Sequence, residues 1–376
     1  MCKIALIIFP IHASHGCILQ TYALKSKIEE LGYEVTLINR HWNAPSVFTR
    51  FKYSVKMLLN RIIYGVNIPL VWQDPCNSFK LEELHSFINE YLYPNIVDIK
   101  KESELSRVDW NNYYALIVGS DQTWRPKYVS NVFNYYLNFA ETYSKPLKIS
   151  YAASFGTDCW EYDALQTEIA KSLLSKFDAV SVRESSAISL CKRYLNRESI
   201  NVVDPTLLLS GDEYINKLKL SKVSRNIVAT YFLDKSVEKD RLAKKIAINF
   251  KLELVEVNRD MENPLAPYKS QVAPSMKEWL ETSLSAKYVI VDSFHAMVFA
   301  ILFHKQFVVV GNIERGLSRF QSILDAIGLT DRLYKEDEDI IEQITKSIDW
   351  FCVENALSKL RKKSTDFLIN ALKNEK

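Results

Sequence analysis

The sequence predicts an α/β protein built from two Rossmann-like domains. Ten short apolar runs alternate with amphipathic helical patterns along most of the 376 residues. The runs are rich in β-branched residues and apolar on both faces, which is typical of parallel strands covered by helices on both sides. Because a sheet holds roughly five to six strands on average, ten strands favour two sheets over one.

The first strand and the first helix are the clearest elements. Residues 3–9 form an apolar run, and the helical pattern of residues 17–32 follows it and ends at Gly32, a typical C-cap. A second clear helical pattern covers residues 162–177. The remaining predicted strands are residues 34–40, 113–120, 147–154, 179–184, 200–205, 226–233, 252–257, 286–293 and 306–311.

The strand count and the positions of proline and glycine predict the domain boundaries. Pro205 and Gly211 interrupt the segment DPTLLLSGDEY (204–214), so we place a first domain at 1–208 and a second at 209–345. Residues 41–112 fit the strand–helix alternation poorly and are predicted to form a helical insertion. Residues 346–376 are predicted to form an amphipathic helix that packs back across both domains.

Composition excludes several classes of protein. With 48 basic and 45 acidic side chains the formal net charge is only +3, which argues against a nucleic-acid partner. The low count of nine glycines argues against a glycine-rich phosphate loop. The six cysteines are scattered without a C-x-x-C pair, so we expect reduced thiols and no zinc site. No carboxylates cluster with histidine at ligand spacing, so we expect no metal, and we expect no cofactor either.

The chain shows no segment typical of export or membrane spanning. The apolar run Ile4–Phe9 is short and is followed by no small-residue cleavage pattern. No uncharged apolar stretch reaches the ~18 residues that a spanning helix needs. We therefore expect a cytoplasmic protein that is able to rest at the inner face of a membrane.

Polar side chains follow the predicted strands where each one ends. In open α/β sheets the ligand binds outside the carboxyl ends of the strands, so these residues are expected to meet in a cleft between the domains. Cations, hydroxyls and helix N-termini at this edge suit an anionic ligand. The candidates are Gly16, Ser120, Asp121, Gln122, Ser154, Arg183, Ser293, His295, Asn312, Arg315 and Arg319.

Each candidate also has a structural interpretation. Asp121 follows Gly119-Ser120 and is equally well placed to cap a helix. Arg183 alone is as typical of a surface ion pair as of a binding site. His12 and His15, which follow the first strand, are more typical of structural histidines.

At these residues the chain resembles the polysaccharide pyruvyl transferase family. The specific stretches are LIVGSDQTW (116–124) and DSFH (292–295). The resemblance implies two Rossmann-like domains arranged as in glycosyltransferases of the B type (GT-B). It also implies transfer of a pyruvyl group from phosphoenolpyruvate to a sugar of a surface polysaccharide or of its lipid-linked precursor, as a cyclic ketal with release of phosphate. Further similar stretches occur in the family's order at 16–24, 149–156, 181–184, 202–209, 286–303 and 319–333.

The resemblance also implies roles for individual residues. His295 matches the family's active-site histidine and is hypothesised to be the general acid or base, because imidazole titrates near neutrality. Arg183 matches the donor-binding arginine and should hold the phosphate or carboxylate. We expect Arg183→Ala to abolish donor binding and leave the fold intact. Asp121 either orients an acceptor hydroxyl or caps a helix.

One position departs from the family. Some members carry arginine two residues before the histidine, where this chain has Ser293. A second donor-binding cation must then come from elsewhere, and Arg315 or Arg319, after Asn312 and the last strand, are the candidates unless they form solvent-facing or interdomain pairs. The remaining candidates are assigned to the acceptor side or the cleft wall, and they are Gly16, Ser120, Gln122 and Ser154.

A basic amphipathic helix is predicted inside the insertion. Residues 48–63 carry an apolar stripe and four basic side chains, at positions 50, 52, 56 and 61. Such a helix either lies on an anionic membrane surface or docks its apolar face on the protein and leaves a basic face in solvent.

Two rival functions share these features. A glycosyltransferase that uses a nucleotide sugar has the same architecture, since a fold does not define a function. Many retaining enzymes of that architecture carry two glutamates eight positions apart, and no such pair occurs between residues 250 and 342. A sugar- or anion-binding protein without catalytic activity is the second rival.

Overall fold

Two parallel β-sheets form the framework of the protein. The structure is a computed structural model, and it describes residues 2–65, 69–261, 263–311, 317–335 and 338–373.

The first sheet has seven strands. They are β1 (Lys3–Ile8), β2 (Glu34–Arg40), β3 (Ile96–Ile99), β4 (Ala115–Val118), β5 (Leu147–Ala153), β6 (Ala179–Val182) and β7 (Ile200–Asn201). Their spatial order is β3-β2-β1-β4-β5-β6-β7, and every pairing is parallel. The central β1 pairs Leu6 with Leu37 on one side and with Ile117 on the other. The sheet order reverses between β1 and β4. In open α/β sheets the crevice outside the carboxyl ends at such a reversal is where ligands typically bind.

The second sheet has four parallel strands. They are β8 (Ile227–Tyr231), β9 (Glu253–Glu256), β10 (Tyr288–Val291) and β11 (Gln306–Val309), in the order β11-β10-β8-β9. All ten predicted strands are therefore present. The eleventh, β3, lies inside residues 41–112 and was not predicted. The IVDI sequence of β3 is short, and it is a half-exposed edge strand that lacks the two-sided apolar pattern. The same segment also contains the helices Val47–Tyr64, His85–Tyr91 and Glu102–Leu105, in line with its predicted helical character.

Helices cover both sheets. The predicted helices at 17–32, 162–177 and 48–63 correspond to the helices His15–Glu30, Ala164–Leu174 and Val47–Tyr64. Gly32, just after the first of these, is in the left-handed region (φ 91°). The helices are α1 (His15–Glu30), α2 (Val47–Tyr64), α3 (His85–Tyr91), α4 (Glu102–Leu105), α5 (Ala164–Leu174), α6 (Ser186–Leu195), α7 (Gly211–Lys217), α8 (Val237–Phe250), α9 (Tyr268–Gln271), α10 (Met276–Ser285), α11 (Phe294–Leu302), α12 (Ser318–Ala326), α13 (Ile340–Thr345) and α14 (Trp350–Lys373).

One apolar core joins the two sheets. It runs from Leu6 of β1 through Ile18 of α1 to Met297 of α11. Eight of the nine residues of α11 are buried, which explains why its sequence is apolar on all sides. This packing brings the N-terminal ends of α1 and α11 together, next to the carboxyl ends of both sheets.

The last helix contacts both halves of the chain. At its start Trp350 stacks on His304, which follows α11, with ring centroids 4.8 Å apart. Near its end Ser364 Oγ accepts a hydrogen bond from the Val203 amide at 3.0 Å, and the Leu372 carbonyl accepts one from the Tyr114 hydroxyl at 2.6 Å. None of the helices within the described ranges is long and apolar enough to cross a membrane.

The helix predicted over residues 48–63 is present but is not docked by its apolar face. Of the 18 residues of α2 only Met57 is buried. Its apolar side chains lie in solvent, with Phe51 65% and Ile62 71% exposed. The docked interpretation of this helix is therefore wrong.

Candidate functional site

A cleft of about 990 Å³ lies between the two sheets. Its walls come from the loops that follow the strands of both halves, as the polar residues after each strand predict. The first half of the chain contributes Phe9, His12, Gly16, Trp42, Asp121, Gln122 and Tyr128, among others. The second half contributes Tyr231, Lys235, Asn258, Arg259, Trp279, Ser293, Phe294, His295 and Arg319, among others.

His295 sits in this cleft at the start of α11, pressed against the start of α1. A β-carbon at Gly16 would lie only 2.0 Å from Nδ1 of His295, so no larger residue fits there without displacing the imidazole. The His295 side chain is 12% exposed, and its Nε2 lies 3.6 Å from Oδ2 of Asp204. That Nε2 is buried without a hydrogen bond from the described residues. Gly16 is thus an interdomain contact that sets the position of the imidazole.

Asp204 links His295 to Arg183. Nη1 of Arg183 donates a hydrogen bond to Oδ2 of Asp204 at 2.9 Å, the same oxygen that faces His295. Thr206 holds the other oxygen through its hydroxyl at 2.6 Å and its amide at 3.0 Å. Burial would raise the pKa of Asp204, but His295 and Arg183 outweigh that effect and lower it. Asp204 is therefore a buried carboxylate anion shared by the two residues that the resemblance emphasises.

Asp121 lies on the other side of Arg183. Its Oδ1 is 3.9 Å from Nη2 of Arg183, and its Oδ2 accepts a hydrogen bond from Gln20 at 3.0 Å. Burial acts to raise the pKa of Asp121, whereas Arg183, His295 and Arg319 lower it below its usual range. Asp121 has φ 82°, and its Oδ1 accepts a hydrogen bond from the neighbouring Gln122 amide at 2.8 Å. A turn and not a helix follows it. The helix-cap alternative is wrong, and a charged carboxylate faces the cleft.

Two guanidinium groups approach one aromatic ring beside the histidine. The Cζ atoms of Arg183 and Arg319 lie 5.2 Å and 5.9 Å from the ring centroid of Phe294. Burial, and then repulsion by Arg183, lower the pKa of Arg319 to about 10. Nε and Nη2 of Arg183 are buried and make no hydrogen bond with the described residues. Arg183 already has Asp204, Asp121 and Glu184 within 4.0 Å, so the binding of an anion would stabilise mainly the charge of Arg319.

The two arginines occupy different positions relative to the cleft. Arg319 lines both the cleft and a small cavity of about 30 Å³ behind Phe294. Arg183 lines only the small cavity and is 5% exposed. An anion in the cleft therefore meets Arg319 first, and Arg183 lies behind Phe294.

Two predicted cleft residues have a supporting position instead. Ser154 is fully buried, and its hydroxyl donates to Glu184 Oε1 at 3.1 Å. Ser120 donates to the Ala152 carbonyl at 2.9 Å. Neither lines the cleft; both stabilise the loops that follow β4 and β5.

The remaining candidates divide into two groups. Ser293 lines the cleft as the N-cap of α11, with a hydroxyl that makes no capping hydrogen bond. Asn312 and Arg315 lie outside the residues that the structure describes.

The two early histidines have structural contacts, as their sequence context indicates. Nε2 of His15 lies 2.8 Å from the Pro274 carbonyl, and its ring stacks on Trp279 at 5.2 Å. Burial lowers the pKa of His15 to about 4, so it is neutral at physiological pH. His12 lines the cleft, with Nδ1 2.8 Å from the Pro10 carbonyl.

The sequence reasoning missed Asp204, Gln20 and Phe294. Asp204 lies three residues after the end of β7, so the rule that selected the other strand-end residues also applies to it. Phe294 stands between Ser293 and His295 in the DSFH stretch, so the same rule covers its position, although it selects polar residues. Gln20 lies inside α1 and carries no comparable local signal. Asp292 of the DSFH stretch is structural: it accepts the Leu233 and Asp234 amides at 2.6 Å and 3.0 Å and pairs with Lys239 at 2.7 Å.

A second polar cluster lies at the end of β2. Side-chain atoms of His41, Asp74 and Cys76 lie within 4.8 Å of one another, a grouping that sequence spacing does not reveal. The His41 nitrogens are 2.6 Å from Asp74 and 2.7 Å from Asp98. Burial acts to lower the pKa of His41, but these carboxylates raise it. Both nitrogens are thus engaged by an ionic network.

Structural similarity defines the class of the fold. UGT89C1 from Arabidopsis thaliana, solved with UDP, superposes with a TM-score of 0.52 at 12% identity over 99% of each chain. MnaA from S. aureus, also solved with UDP, gives 0.50 at 10% identity over 96% of this chain and 97% of that one. A TarM variant from S. aureus, in complex with Fondaparinux, alpha-GlcNAc-glycerol and UDP, gives 0.50 at 9% identity over 100% of both chains. The protein has a GT-B-like fold with two Rossmann-like domains and a cleft between them.

Sequence similarity then identifies the family. The polysaccharide pyruvyl transferase family matches residues 15–314, a range that contains Gly16, Asp121, Arg183 and His295 but not Arg319. The chain belongs to this family and is a transferase. No curated protein matches the chain.

Proposed function

We propose that this protein transfers a pyruvyl group from phosphoenolpyruvate to two hydroxyls of a sugar in a surface polysaccharide or its lipid-linked precursor. The products are a cyclic pyruvate ketal and phosphate. The observation that carries the proposal is the position of two guanidinium groups, 5.2 Å and 5.9 Å from the Phe294 ring, beside the imidazole of His295. This arrangement supports binding of a small dianion next to a proton donor.

The proposed reaction needs a proton donor and a cationic site that binds the phosphate and carboxylate of the donor. His295 gives a proton to the methylene carbon of phosphoenolpyruvate, and positive charge develops on the neighbouring carbon. One sugar hydroxyl adds there, phosphate leaves, and the second hydroxyl closes the ketal. Of the two hydroxyl protons, one restores His295 and the other leaves with phosphate. General acid catalysis of this kind contributes roughly 10²- to 10⁴-fold in rate.

The neighbouring residues have supporting roles in this proposal. Asp204, 3.6 Å from Nε2 of His295, orients the ring. Arg319 faces the cleft and binds the donor phosphate or carboxylate first, with Arg183 behind it as the second positive charge. The Asp121 carboxylate lines the cleft from the other half of the chain and orients an acceptor hydroxyl.

The test is product formation from defined substrates. Oligosaccharide acceptors are incubated with phosphoenolpyruvate or with nucleotide sugars, and phosphate release and product mass are measured. The proposal expects phosphate release and a mass gain of pyruvic acid minus one water. Sugar transfer from a nucleotide sugar instead would establish the glycosyltransferase alternative and overturn the proposal.

Two variants test the site itself. We expect His295→Gln to lower turnover by roughly 10²-fold or more and Arg319→Gln to raise the KM for phosphoenolpyruvate. The matched controls are His85→Gln and Arg241→Gln, because both of these side chains are exposed. Near-native turnover in His295→Gln would remove the assigned role.

A further inference from the structure

The helix α2 presents its apolar side to solvent. Along its length Phe48, Phe51, Leu59 and Ile62 are 65%, 65%, 50% and 71% exposed. Isolated exposed apolar side chains are common, but a contiguous apolar face on a helix of 18 residues marks an interaction site.

The exposed apolar face points away from the protein. With about 100° of rotation per residue, Phe51, Val55, Leu58 and Ile62 fall on one side of the helix. Met57, the only buried residue of α2, falls on nearly the opposite side. The helix therefore packs on the rest of the protein through the side that carries Met57, and its apolar face is available to a partner.

The charges of α2 identify that partner. The helix carries four exposed basic side chains and no acidic residue. None of the four forms an ion pair with another described residue. By the same rotation two of them flank the apolar face on one side and two on the other. The four are Arg50, Lys52, Lys56 and Arg61.

We propose that α2 lies in the surface of an anionic lipid bilayer, with its apolar face in the acyl region and its flanking cations at the headgroups. An apolar face bordered by lysine and arginine is the arrangement that binds such surfaces. A second copy of this helix is a poor partner, because a symmetric pair would bring eight cations together without an anion.

The position of α2 connects the bilayer to the cleft. The helix begins at Val47, shortly after Trp42, which lines the cleft and donates a hydrogen bond from Nε1 to the Tyr128 carbonyl at 2.8 Å. Docking of α2 thus brings the cleft close to the lipid headgroups. A cleft at this position favours a lipid-linked acceptor over a free one, and this statement about the acceptor rests on the proposed function.

Vesicle flotation of the full chain tests the docking. We expect the protein to float with vesicles of phosphatidylcholine and phosphatidylglycerol and to remain behind with phosphatidylcholine alone. Two multiple variants should each weaken binding by about tenfold or more. Phe51→Ser/Leu58→Ser/Ile62→Ser removes the apolar face. Lys52→Gln/Lys56→Gln removes two surface cations, each of which contributes about fivefold.

The control is a pair of exposed apolar residues on α8. Val237→Ser/Ile248→Ser removes side chains that are 87% and 78% exposed and should float like the native protein. Absence of flotation of the native protein with anionic vesicles overturns the proposal. So does a native dimer in solution that the α2 variants abolish without any vesicle binding.

Activity assays with two forms of the acceptor test membrane docking separately from the proposed function. The α2 variants should turn over a soluble oligosaccharide at the native rate and lose activity on an acceptor embedded in anionic vesicles. Flotation needs no substrate, so it succeeds or fails independently of pyruvyl transfer.

Discussion

At the scale of single residues, the site depends on one buried oxygen. Oδ2 of Asp204 accepts from Arg183 at 2.9 Å and lies 3.6 Å from His295. Arg183 is in turn within 4.0 Å of both Asp121 and Glu184. The structure therefore revises the expectation that Arg183→Ala leaves the fold intact, because that change leaves buried carboxylates without their cation.

Asp204→Asn tests this network. Removal of one partner of a buried ion pair costs about 3–5 kcal/mol, so the free energy of unfolding in urea should fall by roughly that amount at pH 7. Turnover should also fall, because His295 loses the carboxylate that orients it. Asp212→Asn, an exposed carboxylate on α7, is the matched control.

The pH dependence of this effect has a defined sign. The folded-state pKa of Asp204 is lowered, so its stabilising contribution is present above the unfolded pKa of about 3.9. It is lost as the pH falls through the lower folded-state value. The stability difference between native protein and Asp204→Asn should therefore be full at neutral pH and shrink in acid. A difference that grows in acid would contradict the assignment.

At the scale of elements, the meeting of two helix ends sets the geometry of the site. The first turn of α1 packs on the first turn of α11 with no room for a side chain at Gly16. Both helix N-termini also carry partial positive charge, which adds to the arginines in attracting an anion. A small change at this contact acts directly on the imidazole.

Gly16→Ala is expected to lower both turnover and stability. The added methyl would lie 2.0 Å from Nδ1 and 2.8 Å from Cβ of His295, so rotation of the ring alone does not relieve the overlap and the two helices must also shift. A misplacement of about 1 Å costs roughly 10²-fold in rate, and steady-state kinetics with a melting curve would measure both effects. Gly328→Ala is the control, since it strains a backbone with φ 73° but touches nothing. Native turnover in Gly16→Ala would show that the contact does not position His295.

At the scale of the whole molecule, one apolar core makes the two halves interdependent. The core includes Leu6 of the first sheet and Val289 of the second, and Leu368 of α14 belongs to it. Together with the Trp350–His304 and Tyr114–Leu372 contacts, α14 ties the two halves together.

Leu368→Ala should destabilise both halves at once. Truncation of a fully buried leucine costs about 2–5 kcal/mol, and Leu368 is 0% exposed. We expect fluorescence and circular dichroism to report a single transition that shifts to lower denaturant. Phe351→Ala, on the same helix but 77% exposed, should leave stability nearly unchanged. A shift confined to one probe would show that the halves unfold separately.

Local sequence was sufficient to predict much of the fold and several of the residues that line the cleft. Ten strands were predictable because a buried parallel strand is apolar on both faces, a property of adjacent residues. Edge strand β3 was not, since Val97 is 38% exposed and Asp98 interrupts the pattern. The cleft positions of His295, Asp121 and Arg319 followed from one rule, that polar residues after parallel strands meet at the same edge.

Contacts between distant residues were decided only by the tertiary structure. Three features depend on how the sheets and helices pack. They are the contact of Asp204 with both Arg183 and His295, the inward hydrogen bond from Ser154 to Glu184, and the outward direction of the apolar face of α2. A pattern of apolar and polar residues shows which side of an element avoids water. It carries no information on which distant surface, protein or lipid, that side will contact.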